Sequence, residues 1–114
     1  MRHRVKKHLR GSHDRQKNER RALAASVVLY ERVQLTEARA KFIKPVVEKM
    51  ITRGKKQGLN ALRLLRRDLP INAVKKIMEV LGPRYKDRPG GYARIFHVGK
   101  FRNGTKKVIL ELVK

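Results

Sequence analysis

Residues 82–113 read GPRYKDRPGGYARIFHVGKFRNGTKKVILELV, and this stretch contains the strand and turn signals that predict a sheet. Two runs within it, Tyr92–Phe101 and Lys106–Val113, are rich in β-branched and aromatic residues, which predicts two strands. The dipeptide Asn103-Gly104 lies between them, and it is the strongest short signal for a β-hairpin. We therefore expect the C-terminal part of the chain to form antiparallel strands.

The remainder of the chain predicts helices and one more strand. Glu31–Leu35 alternates polar and apolar residues, as a short strand does. Hydrophobic periodicity and end signals predict four helices, at about Ser12–Tyr30, Thr36–Lys56, Leu59–Asp68 and Pro70–Leu81. The predicted fold class is therefore α+β, with a helical body of about four helices packed on a small three-stranded antiparallel sheet.

The predicted helix ends rest on a few residues with special backbone chemistry. Ser12 and Thr36 have side chains that accept hydrogen bonds from the first turn of a helix, so we expect them at N-caps. Pro70 is predicted in the first turn of its helix, where a missing N–H does no harm. Gly82-Pro83 is predicted to stop that helix.

Apolar residues mark the buried faces of the two middle helices. The stripe of the second helix consists of Ile43, Val46, Val47, Met50 and Ile51. The third helix has four leucines in register, namely Leu59, Leu62, Leu65 and Leu69. Pro45 lies inside the second helix and predicts a kink there, with a break into two pieces as the alternative.

The chain carries 31 Lys and Arg against nine Asp and Glu in 114 residues, a formal net charge of +22. Small soluble domains are comfortable with a net charge of about 2–8 in magnitude, because like charges repel as a chain compacts. This excess favours a polyanionic partner, above all nucleic acid. Residues 1–11 are almost purely basic, so we expect an arm that becomes ordered on its partner, followed by a single α+β domain over 12–114.

Several classes of function are excluded by what the sequence lacks. There is no Cys, and no apolar run approaches the ~18 residues of a membrane span. The N-terminus lacks the apolar segment of a secretory signal, which predicts a chain that stays in a cytoplasm or organelle matrix. No phosphate-binding glycine loop or catalytic triad is evident, so we expect no enzyme, no cofactor and no small-molecule substrate. His3, His8 and His13 recur every five residues, which spreads them around a helix and argues against a metal site.

Two stretches contain the candidate nucleic-acid-binding residues. The first covers the arm and the start of the first helix, with Arg2, His3, Arg4, Lys6, Lys7, His8, Arg10, His13, Arg15, Arg20 and Arg21. The second covers a basic loop and the strand after it, with Arg84, Tyr85, Arg88, Gly90, Gly91, Tyr92 and Arg94. Guanidinium groups match phosphate oxygens with two parallel hydrogen bonds, and glycines let a backbone approach a nucleic acid closely.

Some side chains keep two interpretations at this stage. The ring of Tyr92 is interpreted either as a nucleic-acid contact or as a core ring at the start of a strand. The cations of the third and fourth helices predict either RNA contact or simple solvation, and they are Arg63, Arg66, Arg67, Lys75 and Lys76.

Two other classes of protein share this charge. A nucleoid-type DNA-binding protein is the main alternative, although the sequence shows no recognition helix and no dimer with half-site spacing. A membrane-surface protein needs a basic amphipathic helix with an exposed apolar face. The apolar stripes here have one another to pack on, which disfavours that class.

Several motifs follow one another along the whole chain. They are MRHR at 1–4, Leu35-Thr36 with Ala38 and Ala40-Lys41, Ile51-Thr52 with Lys55, LGPRY at 81–85, RPGGYARI at 88–95 and ELV at 111–113. In this order they resemble the bacterial large-subunit ribosomal protein seventeen family. The chain departs from that family's pattern between Val5 and Asn18, where it is shorter and altered, and at Pro45.

The resemblance implies a function that charge and periodicity do not reach. It implies a structural constituent of the large ribosomal subunit that binds and stabilises folded rRNA near the peptide exit tunnel. The partners that it implies are large-subunit rRNA and neighbouring ribosomal proteins, without a membrane and without catalysis. The implied location is the cytoplasmic ribosome.

Overall fold

The computed structural model describes residues 12–113. In chain order the elements are α1 (His13–Tyr30), β1 (Arg32–Thr36), α2 (Glu37–Lys55), α3 (Leu59–Asp68), α4 (Ile71–Lys76), a π turn (Ile77–Leu81), α5 (Gly82–Arg84), β2 (Ala93–Lys100) and β3 (Lys106–Leu112). Helices and one three-stranded antiparallel sheet confirm the α+β class. The arm predicted for residues 1–11 lies outside the described residues.

The first two helices begin at the predicted caps. The Ser12 hydroxyl accepts a hydrogen bond from the Arg15 N–H at 3.3 Å, and the Thr36 hydroxyl accepts one from the Arg39 N–H at 3.4 Å. Each bond satisfies one of the N–H groups that a helix leaves without a partner in its first turn. Both N-cap predictions are confirmed.

The sheet has the order β1-β3-β2, with β3 antiparallel to both neighbours. Val108, Leu110 and Leu112 alternate along β3 and are buried, because every second side chain points to the same face. The hairpin predicted at Asn103-Gly104 is confirmed, and the Phe101 N–H donates to the Thr105 carbonyl at 2.8 Å across its turn. The central strand therefore supplies the inner face on which the helices pack.

Helix α2 lies at the centre of the core and contacts α1, α3, the π turn and all three strands. Ile43, Val47 and Ile51 of its predicted stripe are fully buried. The helix is continuous from Glu37 to Lys55 across Pro45, so the predicted break is wrong. The predicted kink at Pro45 stays a prediction.

The leucine register of α3 is only partly as predicted. Leu65 and Leu69 are buried and Leu62 packs against the core, but Leu59 is 61% exposed. Ala61 takes the buried position in the first turn, and a residue two places before it lies about 200° around the helix. Leu59 therefore points to the opposite side from the core.

The end predicted at Gly82-Pro83 is wrong, because the helical backbone continues through Arg84. A π turn precedes the proline, and the Gly82 N–H donates to the Ile77 carbonyl five residues back. Pro83 has no N–H to give to the corresponding Met78 carbonyl. The Gln57 side chain donates to that oxygen at 3.0 Å instead, so a residue from the end of α2 takes the place of the missing donor.

The start of the fourth helix also differs slightly from its prediction. Pro70 is the N-cap residue and the helix begins at Ile71, one position later than expected. The Pro70 carbonyl accepts from the Val74 N–H at 3.1 Å, so the proline still opens the helix.

Helix α2 and the π turn approach each other through Gly54, which is buried although it lies within a helix. A Cβ atom at Gly54 would overlap the Ile77 side chain. A Cβ atom at Gly82 would lie 3.1 Å from the Gly54 carbonyl oxygen. The two glycines therefore set how closely these elements pack, and hence where the loop after α5 begins.

We expect Gly54→Ala to lower the free energy of unfolding by about 1–3 kcal/mol, because overpacking outweighs the better helix propensity of alanine. The midpoint of urea unfolding followed by circular dichroism measures this change. Gly90→Ala is the matched control, since a Cβ atom there meets nothing within 4 Å. Equal stability of the two variants would contradict the close approach at Gly54.

Candidate nucleic-acid interface

Most acidic side chains of the domain form ion pairs with Lys or Arg of the same domain. All nine Asp and Glu lie in residues 12–113, and six of them form ion pairs with Lys or Arg. These pairs engage nine of the 25 Lys and Arg in the same range, which leaves 16 without an ion pair. The folded domain, and not only the arm, therefore presents a surplus of positive charge.

The predicted basic loop is held in shape by its own arginine. The Arg88 Nε donates to the carbonyls of Gly90 and Gly91, each at 3.1 Å. The Lys55 ammonium donates to the Arg88 carbonyl from the end of α2. Gly91 has a φ of +61°, a conformation that glycine adopts without strain. The glycines of this loop therefore form its turn. A depression of about 390 Å³ lies beside the loop and is lined by Arg84, Tyr85, Asp87, Arg88 and Pro89.

The two tyrosines predicted at this site belong to the core. Tyr85 is 2% exposed and Tyr92 is 1% exposed, so neither ring is available to stack on a base. Their ring centroids lie 5.1 Å apart, and the core interpretation of Tyr92 is the correct one. The Tyr85 hydroxyl donates to the Val113 carbonyl, and burial raises the pKa of that hydroxyl. Lys55 donates to the Tyr92 hydroxyl at 2.9 Å.

The two predicted arginines that flank the loop are both engaged in ion pairs. Arg84 binds the Glu31 carboxylate, and its side chain is 29% exposed. Arg94 Nε donates to Glu111 at 2.7 Å on the outer face of the sheet, with 64% of its side chain exposed. Arg84 is therefore mainly a structural residue, whereas Arg94 keeps much of its guanidinium open to a partner.

Glu31 binds two cations at once. Its carboxylate accepts from the Lys76 ammonium at 2.9 Å and from Arg84. The hydrogen bond from Arg84 is the largest cause that lowers the pKa of Glu31 to about 2; burial opposes it, and Lys76 adds to it. Lys76 also donates to the Leu29 carbonyl at 2.9 Å, so this lysine belongs to the fold and neither predicted role applies to it.

The predicted residues of α1 divide into exposed and structural side chains. His13 is 93% exposed and Arg15 is also exposed, near the point where the arm joins. Arg21 is half-buried, and its Nη2 donates to the Arg67 carbonyl at 2.7 Å, which ties α1 to the end of α3. The predicted arm residues lie outside the described residues and are Arg2, His3, Arg4, Lys6, Lys7, His8 and Arg10.

A shallow groove runs beside α1 and α2. One depression of about 280 Å³ is lined by His13, Gln16, Lys17, Arg20 and Phe42. A second, of about 200 Å³, is lined by Arg20, Val46, Lys49, Met50, Arg53 and Asp68. Arg20 lines both, so this predicted residue lies where the two depressions meet. Cations along an apolar floor suit a phosphate backbone with its sugars.

The β-hairpin carries a basic group that the sequence analysis did not select. Lys100, Arg102, Lys106 and Lys107 lie within eight residues around the Asn103-Gly104 turn. We call this group the basic hairpin. Lys107 lies 5.0 Å from the centroid of the Phe101 ring. The density of Lys and Arg around the turn is a sequence signal for a cationic surface, separate from the hairpin motif itself.

Other kinds of site find no support in the part of the chain that the structure describes. Within 12–113 no three His, Cys, Asp or Glu side chains come together as metal ligands would. No helix in that range is long and apolar enough to cross a membrane.

An α+β domain in which 16 Lys and Arg of residues 12–113 form no ion pair with an acid defines the class as a strongly basic protein. The comparisons with known proteins narrow that class. The family model described as Ribosomal protein L17 matches residues 20–113, and the chain belongs to this family. The match begins after residues 5–18, the segment that differs from the family pattern in the sequence analysis. This is a family of ribosomal proteins and not of enzymes, which agrees with the prediction that the chain is not an enzyme.

Individual relatives agree with the family match. The large ribosomal subunit protein bL17 of Caldanaerobacter subterraneus subsp. tengcongensis is 44% identical over 87% of this chain and 94% of its own length. The protein of the same name from Staphylococcus epidermidis is 43% identical over 88% of this chain and 92% of its own. That of Thermodesulfovibrio yellowstonii is 38% identical over 99% of this chain and 87% of its own.

We expect Glu31→Gln to reduce the free energy of unfolding by about 2–3 kcal/mol at neutral pH, because a carboxylate with a lowered pKa stabilises the folded state. The contribution is fully present above a pH of about 4.5, the ordinary pKa of Glu, and disappears as the pH falls towards about 2. The wild-type and variant stabilities should therefore converge in acid. Urea unfolding measured between neutral pH and pH 2 follows the convergence.

Glu79→Gln is the matched control for this prediction. Glu79 is exposed and has no ion pair within residues 12–113, so its replacement should change stability by less than about 0.5 kcal/mol at any pH. An equal loss for Glu31→Gln at neutral and acid pH would show that the carboxylate charge is not what stabilises the fold.

Proposed function

We propose that this chain is a structural constituent of the large ribosomal subunit that binds and stabilises folded rRNA near the peptide exit tunnel. The observation that carries the proposal is the surplus of 16 unpaired cations in residues 12–113 of a member of the ribosomal protein L17 family. A ribosomal protein has rRNA and neighbouring ribosomal proteins as partners, and its place is the cytoplasmic ribosome. The site near the exit tunnel rests on the family resemblance.

The proposed mechanism is charge neutralisation at places where RNA segments come close together. Each phosphate that meets a Lys or Arg releases condensed counterions, which favours binding and makes it depend steeply on salt. Folded RNA is recognised through its backbone, its 2′-hydroxyls and its shape more than through base sequence. A folded domain with cationic surfaces can bind RNA in this way without a helix or strand that recognises base sequence.

The contacts that we propose come from two regions of the domain and from the arm at 1–11. On α1 they are His13, Arg15 and Arg20, which are exposed or line the groove. Beyond α5 they are Arg88 and the open part of Arg94, together with the backbone of Gly90 and Gly91. Arg21, Arg84, Tyr85 and Tyr92 support these surfaces from within, since their side chains bind other parts of the protein.

We expect the full chain to sediment with large ribosomal subunits in moderately high salt. In competition, large-subunit rRNA should displace the chain from its complex more readily than duplex DNA does. A protein that stays at the top of the gradient while particles sediment would refute the proposal. Equal competition by duplex DNA would favour the nucleoid alternative.

We expect Arg15→Ala with Arg20→Ala to weaken rRNA binding and to flatten its salt dependence. Two lost phosphate contacts should reduce the slope of log K against log salt by about 1.5–2. Lys41→Ala with Lys44→Ala is the matched control, because it removes the same formal charge from lysines that already pair with Glu37 and Glu48. Equal slopes for the two double variants would contradict a direct role for α1.

A further inference from the structure

A depression lies between the basic hairpin and the start of α2. Its volume is about 590 Å³, within the range of about 300–1,000 Å³ that is typical of small-ligand pockets. The floor contains Leu35, which is 8% exposed, and the ring of Phe101. None of the candidate RNA-binding residues from the sequence analysis lines it.

Two arginines stand at this depression, and one of them is held in place. Arg39 Nε lies 3.1 Å from the Glu19 carboxylate, yet 53% of the Arg39 side chain is exposed. Arg102 is exposed and forms no ion pair within residues 12–113. A planar guanidinium can bind a phosphate with two hydrogen bonds or stack on a base. The rim is therefore cationic while the floor is apolar.

The hairpin that forms one wall is stiffened by its own hydrogen bonds. The Phe101 N–H donates to Thr105 at 2.8 Å, and the Phe101 carbonyl accepts from Gly104 at 3.0 Å. The Asn103 side chain accepts from the Thr105 N–H at 3.0 Å. A wall that is already ordered loses little entropy when a ligand enters.

We propose that this depression receives one unstacked rRNA nucleotide, with its base against Phe101 and its flanking phosphates on the basic hairpin and Arg39. The proposal rests on the proposed function and adds a site to it. A regular duplex is convex and buries its bases, so it has nothing to place in an apolar concavity. Nucleotides in loops and bulges expose a base that can stack on aromatic or guanidinium planes.

The polar lining fits the edge of a base. Gln34, Thr36 and Asn103 supply amide and hydroxyl groups around the apolar floor. Such groups can donate and accept, so they match the mixed pattern on a base edge. Glu19 lies 3.1 Å from Arg39, and Glu37, the residue after Thr36, lies 2.8 Å from Lys41 and 3.9 Å from Lys106, so both acids are already paired. Charge complementarity therefore favours an anionic ligand over a basic or neutral peptide.

The test follows the full chain bound to large-subunit rRNA and maps which unpaired bases it protects from chemical modification. Phe101→Leu keeps an apolar side chain but removes the ring. We expect it to lower affinity for rRNA about tenfold, because one lost base stack has an effect of that order. We also expect it to abolish protection of at least one unpaired base while the protection of backbone positions elsewhere remains.

Lys100→Ala with Arg102→Ala tests the phosphate part of the site. This double variant should reduce the salt slope by about 1.5 and weaken the same base protection. Arg63→Ala with Lys75→Ala is the matched control, since it removes equal charge from α3 and α4 and should leave that protection intact. Gln34→Ala provides a second probe of the base edge if Phe101→Leu alters the far-ultraviolet circular dichroism.

The outcomes separate this inference from the function on which it rests. If wild type binds rRNA and both Phe101→Leu and Gln34→Ala protect the same bases as wild type, the nucleotide site is refuted and the proposed function stands. Crosslinks from the depression to a ribosomal protein instead of RNA would also overturn it. If the wild-type chain fails to bind rRNA at all, the proposed function itself is wrong.

Discussion

Glu31 joins the helical half of the domain to the sheet, and the rest of the structure depends on that junction. Its N–H donates to the Val27 carbonyl at the end of α1, and its carbonyl accepts from the Leu112 N–H at 2.8 Å. Its carboxylate binds Lys76 and Arg84 from the two short helices. The residue has a φ of +61°, which turns the chain sharply from α1 into β1. One side chain thus neutralises two cations where four elements meet.

Other acidic residues also join elements of the fold by binding cations, in a chain that has only nine acids. Glu111 lies between Arg32 and Arg94 on the outer face of the sheet, and Glu19 links α1 to Arg39. Each such acid reduces repulsion among cations that the fold brings together. Glu48, in contrast, pairs with Lys44 within α2. The paired acids therefore mark cations that the fold already engages, although Arg39 and Arg94 keep more than half of their side chains exposed.

Local signals in the sequence predicted much of the fold. The caps at Ser12 and Thr36 and the turn at Asn103-Gly104 involve only residues close by in the chain. Their roles could therefore be predicted from the sequence. Gly82-Pro83 could not be read this way, because Gln57 supplies the missing donor from 21 residues away in the chain. In the same manner, the tyrosines of the loop became core residues through contacts with Lys55 and Val113 that no local pattern encodes.

The candidate site was predictable in type but not in composition. Charge alone indicated a polyanion, and the predicted residues of α1 and the loop do include exposed cations. Whether a given arginine is free depends on an acid elsewhere in the chain, as Glu31 decides for Arg84 and Glu111 for Arg94. The basic hairpin was missed because a turn motif explains those residues locally without using their charge.

The positions of these surfaces along α2 suggest how the domain meets RNA. The hairpin depression and the first depression of the groove lie near the start of α2, since Arg39 lines one and Phe42 lines the other. The second depression of the groove follows α2 as far as Arg53. The loop with Arg88 lies at the other end, where Lys55 binds its backbone. At about 1.5 Å per residue, the ends of this 19-residue helix are some 27 Å apart. The hairpin depression and the Arg88 loop lie at opposite ends of this helix, so the geometry favours a domain that presents cations on more than one side, with α2 as the spacer.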